Sequence, residues 1–354
     1  LLSKFYFTLA KSKFWSQLTA NFSQSGQQLS QVGIVVYGVF LIADGTLTMG
    51  SLIACVILSG RTLAPLGQVS NLLGRFNQAV TAYDNFGQLM QQPVKELNRA
   101  HQVRVDAVEG AITITNASLT YPEQKEAVIK QLNLKVAAGE KIAIVGKIGS
   151  GKTSILRLIA GLYDPSEGSV KIDKSDVTHM HPDDVRKHIG VVMQTPMLFS
   201  GTLKENLLMG NPNATDEQMI DAAKIANVDE IASNLPDGYE TVLAEGGKQL
   251  SGGQRQAICI ARAFVGDPKI IIMDEPSSAM DSGSEQQLLK DLQVRLADKT
   301  LILITHRGTL LSLVNRVVVF DSGRVIADGP KDKVLQAATQ QAQKQQAQKP
   351  QEQN

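Results

Sequence analysis

The amino-acid sequence predicts an α/β fold, a phosphate-loop parallel sheet with a helical insertion, preceded by a partial all-α transmembrane segment. Three observations predict it. Residues 1–95 hold two apolar runs around one short turn. From about Asn98, short β-rich segments alternate with helical patterns, which implies a parallel sheet with helices on its faces. Between those strands, residues 195–250 read as mostly helical, an inserted subdomain.

The apolar runs are Val32–Ala43, "VGIVVYGVFLIA", and Ser51–Leu58, "SLIACVIL", joined through "DGTLTMG". Spanning a bilayer takes ~20 helical residues, and each run alone is shorter than that. Extended back to about Ser23 and on to about Leu66, they reach it. The extensions bring in Gln27, Gln28, Gln31 and Arg61, which suit a bundle interior or a snorkelling helix end. Lys4, Lys11, Lys13, Arg61 and Arg75 lie on the flanks, while the turn carries only Asp44. Both ends are therefore expected on the cytoplasmic side, with Asp44 facing outward. A buried helical hairpin in a soluble protein would show the same two runs.

The bulk numbers exclude little else. With 354 residues and 43% apolar content, the chain can hold more than one domain and at least one full core. A net charge of +1 offers no basic surface, so nucleic acid is not expected as a partner. Cys55 and Cys259 lie far apart in apolar sequence and read as packing thiols. The chain opens on "LLSKF" without a methionine, as a piece of something longer would.

In the second part, "AITITNASLTY", "LNLKV" and "KIAIV" read as strands, and "GKTSILRLIAG" as a helix. "GKIGSGKT", Gly146–Thr153, fits G-x-x-x-x-G-K-[ST] directly after a strand. A loop around a phosphate needs inward backbone N–H groups, hence Gly146, Gly149 and Gly151 at its tight positions, with Ser150 between the last two. Lys152 would reach the β- and γ-phosphates of a nucleotide and Thr153 would place its hydroxyl on Mg2+. The helix that follows points its N-terminus at the same anion.

Four apolar strands each run into polar residues: "KIAIV" into that loop, "IGVVMQ" into Gln194, "KIIIMDE" into Asp274 and Glu275, and "TLILITH" into His306. In an open parallel sheet, ligands sit outside the carboxyl ends of the strands. Asp274 is the candidate Mg2+ ligand, and Gln194 would sense both Mg2+ and the γ-phosphate. Glu275 would orient and deprotonate the attacking water, and His306 would hold the γ-phosphate. Tyr121 in "LTYP" is a candidate for stacking on adenine, its alternative being an ordinary aromatic on an edge strand.

"LSGGQ", Leu250–Gln254, contains no titratable group and precedes the helical pattern "RQAICIARAF". Ser251, Gly252 and Gly253 thus stand at a helix start, where backbone N–H groups and the dipole favour an anion. A chain that already has one phosphate loop has no need of a second for the same nucleotide. A nucleotide held by another copy is the economical target.

The set closely resembles the ATP-binding-cassette family: the phosphate loop, Gln194, the pentapeptide Leu250–Gln254, "IIIMDE", "SSAMD" ending at Asp281, and His306 occur in the family's order over about residues 110–330. The resemblance implies a cassette over 96–335 that binds ATP and Mg2+ and dimerises head to tail. Ser251, Gly252, Gly253 and Gln254 would then meet the partner's ATP, and Asp281 would lie in the loop that communicates across the dimer. Residues 1–95 would be the last two membrane helices of an exporter half-transporter, and 336–354 a disordered Gln-rich tail.

"LIADGTLTMGSLIACVILSGRTLAPLGQ" and "GEKIAIVGKIGSGKT" look more specifically like the permease/ATPase of type I secretion systems. That subgroup implies a homodimer in the bacterial inner membrane with its cassettes in the cytoplasm. It also implies a periplasmic adaptor, an outer-membrane channel and a large polypeptide cargo, often of the repeat-rich RTX type. Met197–Phe199 would dock the cytoplasmic ends of the membrane helices. Four of the family's six membrane helices are absent from the sequence, and "LAEGGKQ" and "DKSD" are looser than the usual forms. Three other readings compete: a lipid or small-molecule exporter, a soluble ATPase of the same family outside transport, and a regulatory cassette without turnover.

Overall fold

The structure, a computed structural model, describes residues 25–91, 102–122 and 124–337. The basic flank at Lys4, Lys11 and Lys13, the helix start at Ser23 and the tail from residue 338 lie outside these. The chain divides into two compact units, Leu1–Val94 and Lys95–Asn354.

In the first unit, α1 spans Ser25–Ala43 and α2 spans Met49–Met90. The turn between them is closed by Asp44 N–H to Phe40 O and Thr46 N–H to Leu41 O, and Thr48 caps α2 through its hydroxyl. Gly38 explains why the helices approach closely there: a Cβ at that position would stand 2.3 Å from Leu52 Cδ1. Gly60 makes a second close approach, to Gln31, and much of the remaining apolar surface is exposed, with Val32, Val36, Tyr37, Phe40, Ile53, Ile57 and Leu58 all open. α1 is long and apolar enough to cross a membrane, and Met49–Thr62 is a shorter apolar stretch. α2 runs far beyond Leu66 because Pro65 removes only one donor, and Gly87 is the sole glycine after Arg75.

The second unit is built on two sheets. β1 (Ile112–Leu119), β2 (Ile129–Val136), β4 (Glu167–Ile172) and β5 (Ser175–Asp176) form an antiparallel sheet in the order β2-β1-β4-β5. β3 (Lys141–Val145), β6 (Ile189–Val192), β9 (Ile270–Asp274), β10 (Thr300–Ile304), β11 (Arg316–Asp321) and β12 (Arg324–Pro330) form the main sheet in the order β12-β11-β3-β10-β9-β6. All of its neighbours pair in parallel except β12 with β11.

Side-chain alternation explains why these strands read as unbroken apolar runs. Ile142, Ile144, Ile270, Ile272, Ile302 and Ile304 enter one core with β1, β2, β4 and the helix α3 (Lys152–Ile159). Ala143, Ile271, Met273, Leu301 and Leu303 enter the other. With both faces covered, neither can be polar. α4 (Pro182–His188) leads into β6.

The insertion holds β7 (Gly201–Thr202), α5 (Leu203–Leu208), α6 (Asp216–Lys224), α7 (Val228–Ser233) and β8 (Val242–Leu243). It is helical as read, with one short antiparallel pair of β7 with β8 added. α5 and α6 start on capping boxes, Thr202 with Glu205 and Thr215 with Gln218. α8 (Gly252–Phe264) and α9 (Ser282–Arg295) pack on the second core.

Candidate nucleotide site

The four strands whose ends carry polar residues are consecutive neighbours, β3, β10, β9 and β6. Parallel register puts Ile304 beside both Ile144 and Asp274, so the phosphate loop, Thr305–His306 and Asp274–Glu275 emerge at one sheet edge. Gln194 follows β6 at the same edge and is exposed.

The phosphate loop is shaped by two different demands on glycine. Gly149 and Gly151 have φ of +79° and +100°, the left-handed region that L side chains avoid. At Gly146 the constraint is space, because a Cβ would fall 1.9 Å from Phe320 O in β11. Lys152, at the start of α3, turns back and donates to Gly146 O and Lys147 O at 2.8 Å each. Its ammonium therefore sits over the loop, and burial lowers its pKa against the opposing pull of the Asp274 and Glu275 carboxylates. Ser150 Oγ, in the same loop, is buried and accepts or donates no hydrogen bond.

Thr153 donates from Oγ1 to Asp274 Oδ2 at 2.6 Å, and Asp274 is 2% exposed. A hydroxyl and a carboxylate held together are the hard oxygen donors that Mg2+ prefers. Glu275 has φ of +49°, uncommon for a side chain with a Cβ, and is held by its N–H to Ile304 O at 2.8 Å. Its Oε1 is buried without a hydrogen bond, while His306 Nε2 stands 3.5 Å from it and is half exposed. Unpaired buried oxygens are costly in a finished core. On Ser150 and Glu275 they mark the space that a nucleotide, its Mg2+ and a water would use, and the residues present fit that group.

Two candidates carry other duties as well. The Tyr121 hydroxyl lies 2.9 Å from Ser154 Oγ and accepts from Arg157 at 3.1 Å, with Tyr163 edge-on to its ring. Asp281 caps α9, accepting from Gly283 N–H and from the N–H and hydroxyl of Ser284, and the Ser284 bonds hold its carboxyl below the usual range.

Leu250–Gln254 opens α8. Ser251 Oγ accepts from Gln254 N–H at 3.2 Å and Gln254 Oε1 accepts from Ser251 N–H at 2.9 Å, a reciprocal cap. Cβ atoms at Gly252 and Gly253 would press on Ala279 at 3.3 and 3.2 Å, so the helix start lies directly on the Ser277–Asp281 loop. Ser251 is exposed beside a cleft of about 330 Å3 that Met280, Asp281 and Leu288 also line.

A model of the family described as ABC transporter matches residues 129–278, which include the phosphate loop, Gln194, Leu250–Gln254 and Asp274–Glu275. Over these residues the chain belongs to the ABC transporter family. Its cassette is an ATP-binding ATPase domain. Among curated relatives, the leukotoxin translocation ATP-binding proteins LktB of Mannheimia glucosida and Mannheimia haemolytica are each 34% identical over 329 residues. That is 92% of this chain but 46% of the relative, so the chain spans about half the length of the curated relatives it matches. Among solved structures, a bacterial Atm1-family ABC exporter with ATP bound is similar at a TM-score of 0.67 and 28% identity, over 93% of this chain and 57% of that one.

Two groups of residues at the site escaped the sequence reading. Glu285, 5% exposed, accepts from Arg307 at 2.6 Å and from Ser277 Oγ at 3.2 Å, joining the residue after His306 to the loop that ends at Asp281. On α8, Arg262 binds Met197 O and Asn206. Both had a signal in the sequence: each is a charge inside an apolar helical stripe, Glu285 with Leu288 and Leu292, Arg262 with Ile258 and Val265.

Proposed function

We propose that the chain is the ATP-hydrolysing part of an exporter, of the permease/ATPase kind that serves type I secretion. The observation that carries this reading is the 34% identity to leukotoxin translocation proteins over 92% of the chain, which takes in both the apolar hairpin and the cassette. On this reading residues 1–95 are the last part of a membrane domain in the bacterial inner membrane and 96–335 a cytoplasmic cassette, with 336–354 a tail. The exposed apolar faces of α1 and α2 favour the membrane over a soluble ATPase.

Two copies pair head to tail. Gly146, Gly149, Ser150, Gly151 and Lys152 hold the phosphates of one ATP and Tyr121 meets its adenine. The partner's Ser251, Gly252, Gly253 and Gln254 close over the γ-phosphate, with Asp281 beside them. Thr153, Gln194 and Asp274 would hold Mg2+, whose charge offsets that of the phosphates. Glu275 orients a water and takes its proton as the water oxygen bonds to the γ-phosphorus and the bond to ADP breaks. His306 holds the γ-phosphate in line. Lys152 neutralises charge on the oxygens, and that action needs its ammonium moved from the loop carbonyls onto phosphate. Pairing with a periplasmic adaptor and an outer-membrane channel would pass a large polypeptide outward.

The test is Glu275→Gln in the producing cells, with secreted and surface proteins compared against wild type. Loss of one or a few large proteins supports the reading and names the cargo. An unchanged protein profile alongside lost ATPase activity would replace it with a lipid or small-molecule exporter.

A further inference from the structure

Arg262 lies in the last turn of α8, at the opposite end from Ser251. A helix of 13 residues rises ~1.5 Å per residue, so α8 is a rod of about 20 Å with the pentapeptide at one tip and Arg262 near the other. What Arg262 holds is unusual for a guanidinium, because no carboxylate takes part. Its Nε donates to Asn206 O at 2.8 Å, one terminal nitrogen to Asn206 Oδ1 at 3.0 Å, and the other to Met197 O at 3.0 Å. The guanidinium carbon lies 5.9 Å from the centre of the Phe199 ring.

Asn206 is fully buried and continues the grip. Its Oδ1 accepts from Phe199 N–H at 2.9 Å, and its Nδ2 donates to Phe199 O at 2.9 Å and Thr202 O at 3.0 Å. The backbone at Phe199 is thus held by both its donor and its acceptor. Leu198 between the two contacts is 1% exposed, packed in the core, while Met197 and Phe199 present 63% and 46% of their surface. Gly246 N–H donates to Leu198 O, which brings the segment ahead of the pentapeptide onto the same loop.

We propose that Arg262 is a positioning residue that fixes the orientation of α8 against the Gln194–Phe199 loop, and through α8 sets where Ser251 and Gly253 stand. The proposal rests on the reading that Ser251 and Gly253 act on a partner's nucleotide. Arg262 touches no nucleotide itself. Any displacement of Met197–Phe199 would reach the pentapeptide through three hydrogen bonds and a rigid helix, and the same loop begins at Gln194. A lysine at 262 keeps the charge and the stem but offers one nitrogen, which cannot span Asn206 and Met197 together.

The experiment compares wild type with Arg262→Lys in the full chain, measuring kcat and KM for ATP hydrolysis, ATP affinity and the thermal midpoint. The expected result is a fall of about tenfold or more in kcat, since misplacement on the order of 1 Å can cost ~100-fold. KM and ATP affinity should stay within about twofold, because the phosphate loop is untouched. Asn206→Ser, which shortens the grip from the other side, should lower kcat in the same way and add little to Arg262→Lys, as members of one unit do.

An unchanged kcat in Arg262→Lys would overturn the proposal. So would a rise in KM matching the fall in kcat, which would place the damage at the phosphate loop. A kcat that returns to wild type once corrected for the folded fraction would show a purely structural residue. Absence of ATPase activity in the wild type would instead refute the proposed function and is read separately.

Discussion

Gly146 and Gly149 share one loop, and alanine should damage them by different routes. A methyl at position 146 would stand 1.9 Å from Phe320 O and 3.2 Å from Ser150 Oγ, and the first of these is backbone, paired with Val325 of β12 and one residue past the last β11–β3 pair, Val319 with Val145. Ordinary contact needs roughly 1.5 Å more, which β11 cannot give without parting from β3, so the loop must move outward. Overpacking of this kind costs about 1–3 kcal/mol, at the upper end here because backbone is the obstacle. Displacing the phosphate-binding N–H groups on the order of 1 Å should weaken ATP binding by ~10- to 100-fold.

At position 149 nothing lies within 4 Å of the added methyl, and only the left-handed φ of +79° penalises it, by about 1–2 kcal/mol. Gly149→Ala should therefore lose less affinity than Gly146→Ala. Gly149→Asn should recover part of the loss because asparagine tolerates that conformation, whereas Gly146→Asn should recover none. Titration with a fluorescent ATP analogue, together with thermal unfolding, reads both effects. Gly146→Ala binding within twofold of wild type, or an asparagine that rescues 146 and not 149, would refute the reasoning.

Glu285→Ala strands Arg307 and Ser277 and should lower stability by about 2 kcal/mol, read by urea denaturation followed by circular dichroism. Burial raises the Asp184 carboxyl, but the Val105 N–H and Arg104 bonds outweigh it and the net shift is downward. Its stabilisation is therefore present above the ordinary carboxylate pKa and lost as pH falls through the lowered folded value. The stability gap between wild type and Asp184→Asn should be constant from neutral pH down to about pH 5 and close below about pH 4. Burial also raises the Cys259 thiol, which is 9% exposed, so a maleimide should label it only after denaturation.

Much of this fold could be read from residue order because its information is local. A strand with both faces buried must be apolar throughout, so "KIAIV", "IGVVM", "KIIIM" and "TLILI" announce themselves, and the polar residue ending each one marks the sheet edge. The phosphate loop and the start of α8 were equally legible, since glycine spacing and capping act within a few residues. The grip of Arg262 on Met197 and Asn206 was not, because its partners are 65 and 56 positions away and only folding selects them. The free Oε1 of Glu275 was also invisible, being set by a left-handed backbone turn that no neighbouring residue announces. α2 was carried only to about Leu66 because bilayer length set its end, whereas the helix of 42 residues runs on through Pro65, one missing donor being readily carried.

The bonds from Lys152 to its own loop carbonyls make nucleotide loading an exchange rather than a filling. Whatever enters must offer the ammonium something better than two neutral acceptors, and a polyphosphate does so with full charges. A nucleoside or a nucleotide too short to reach the lysine leaves those bonds in place and gains nothing from the ammonium. On the proposed reading, the loop would thereby favour a longer phosphate chain over a shorter one before any chemistry begins.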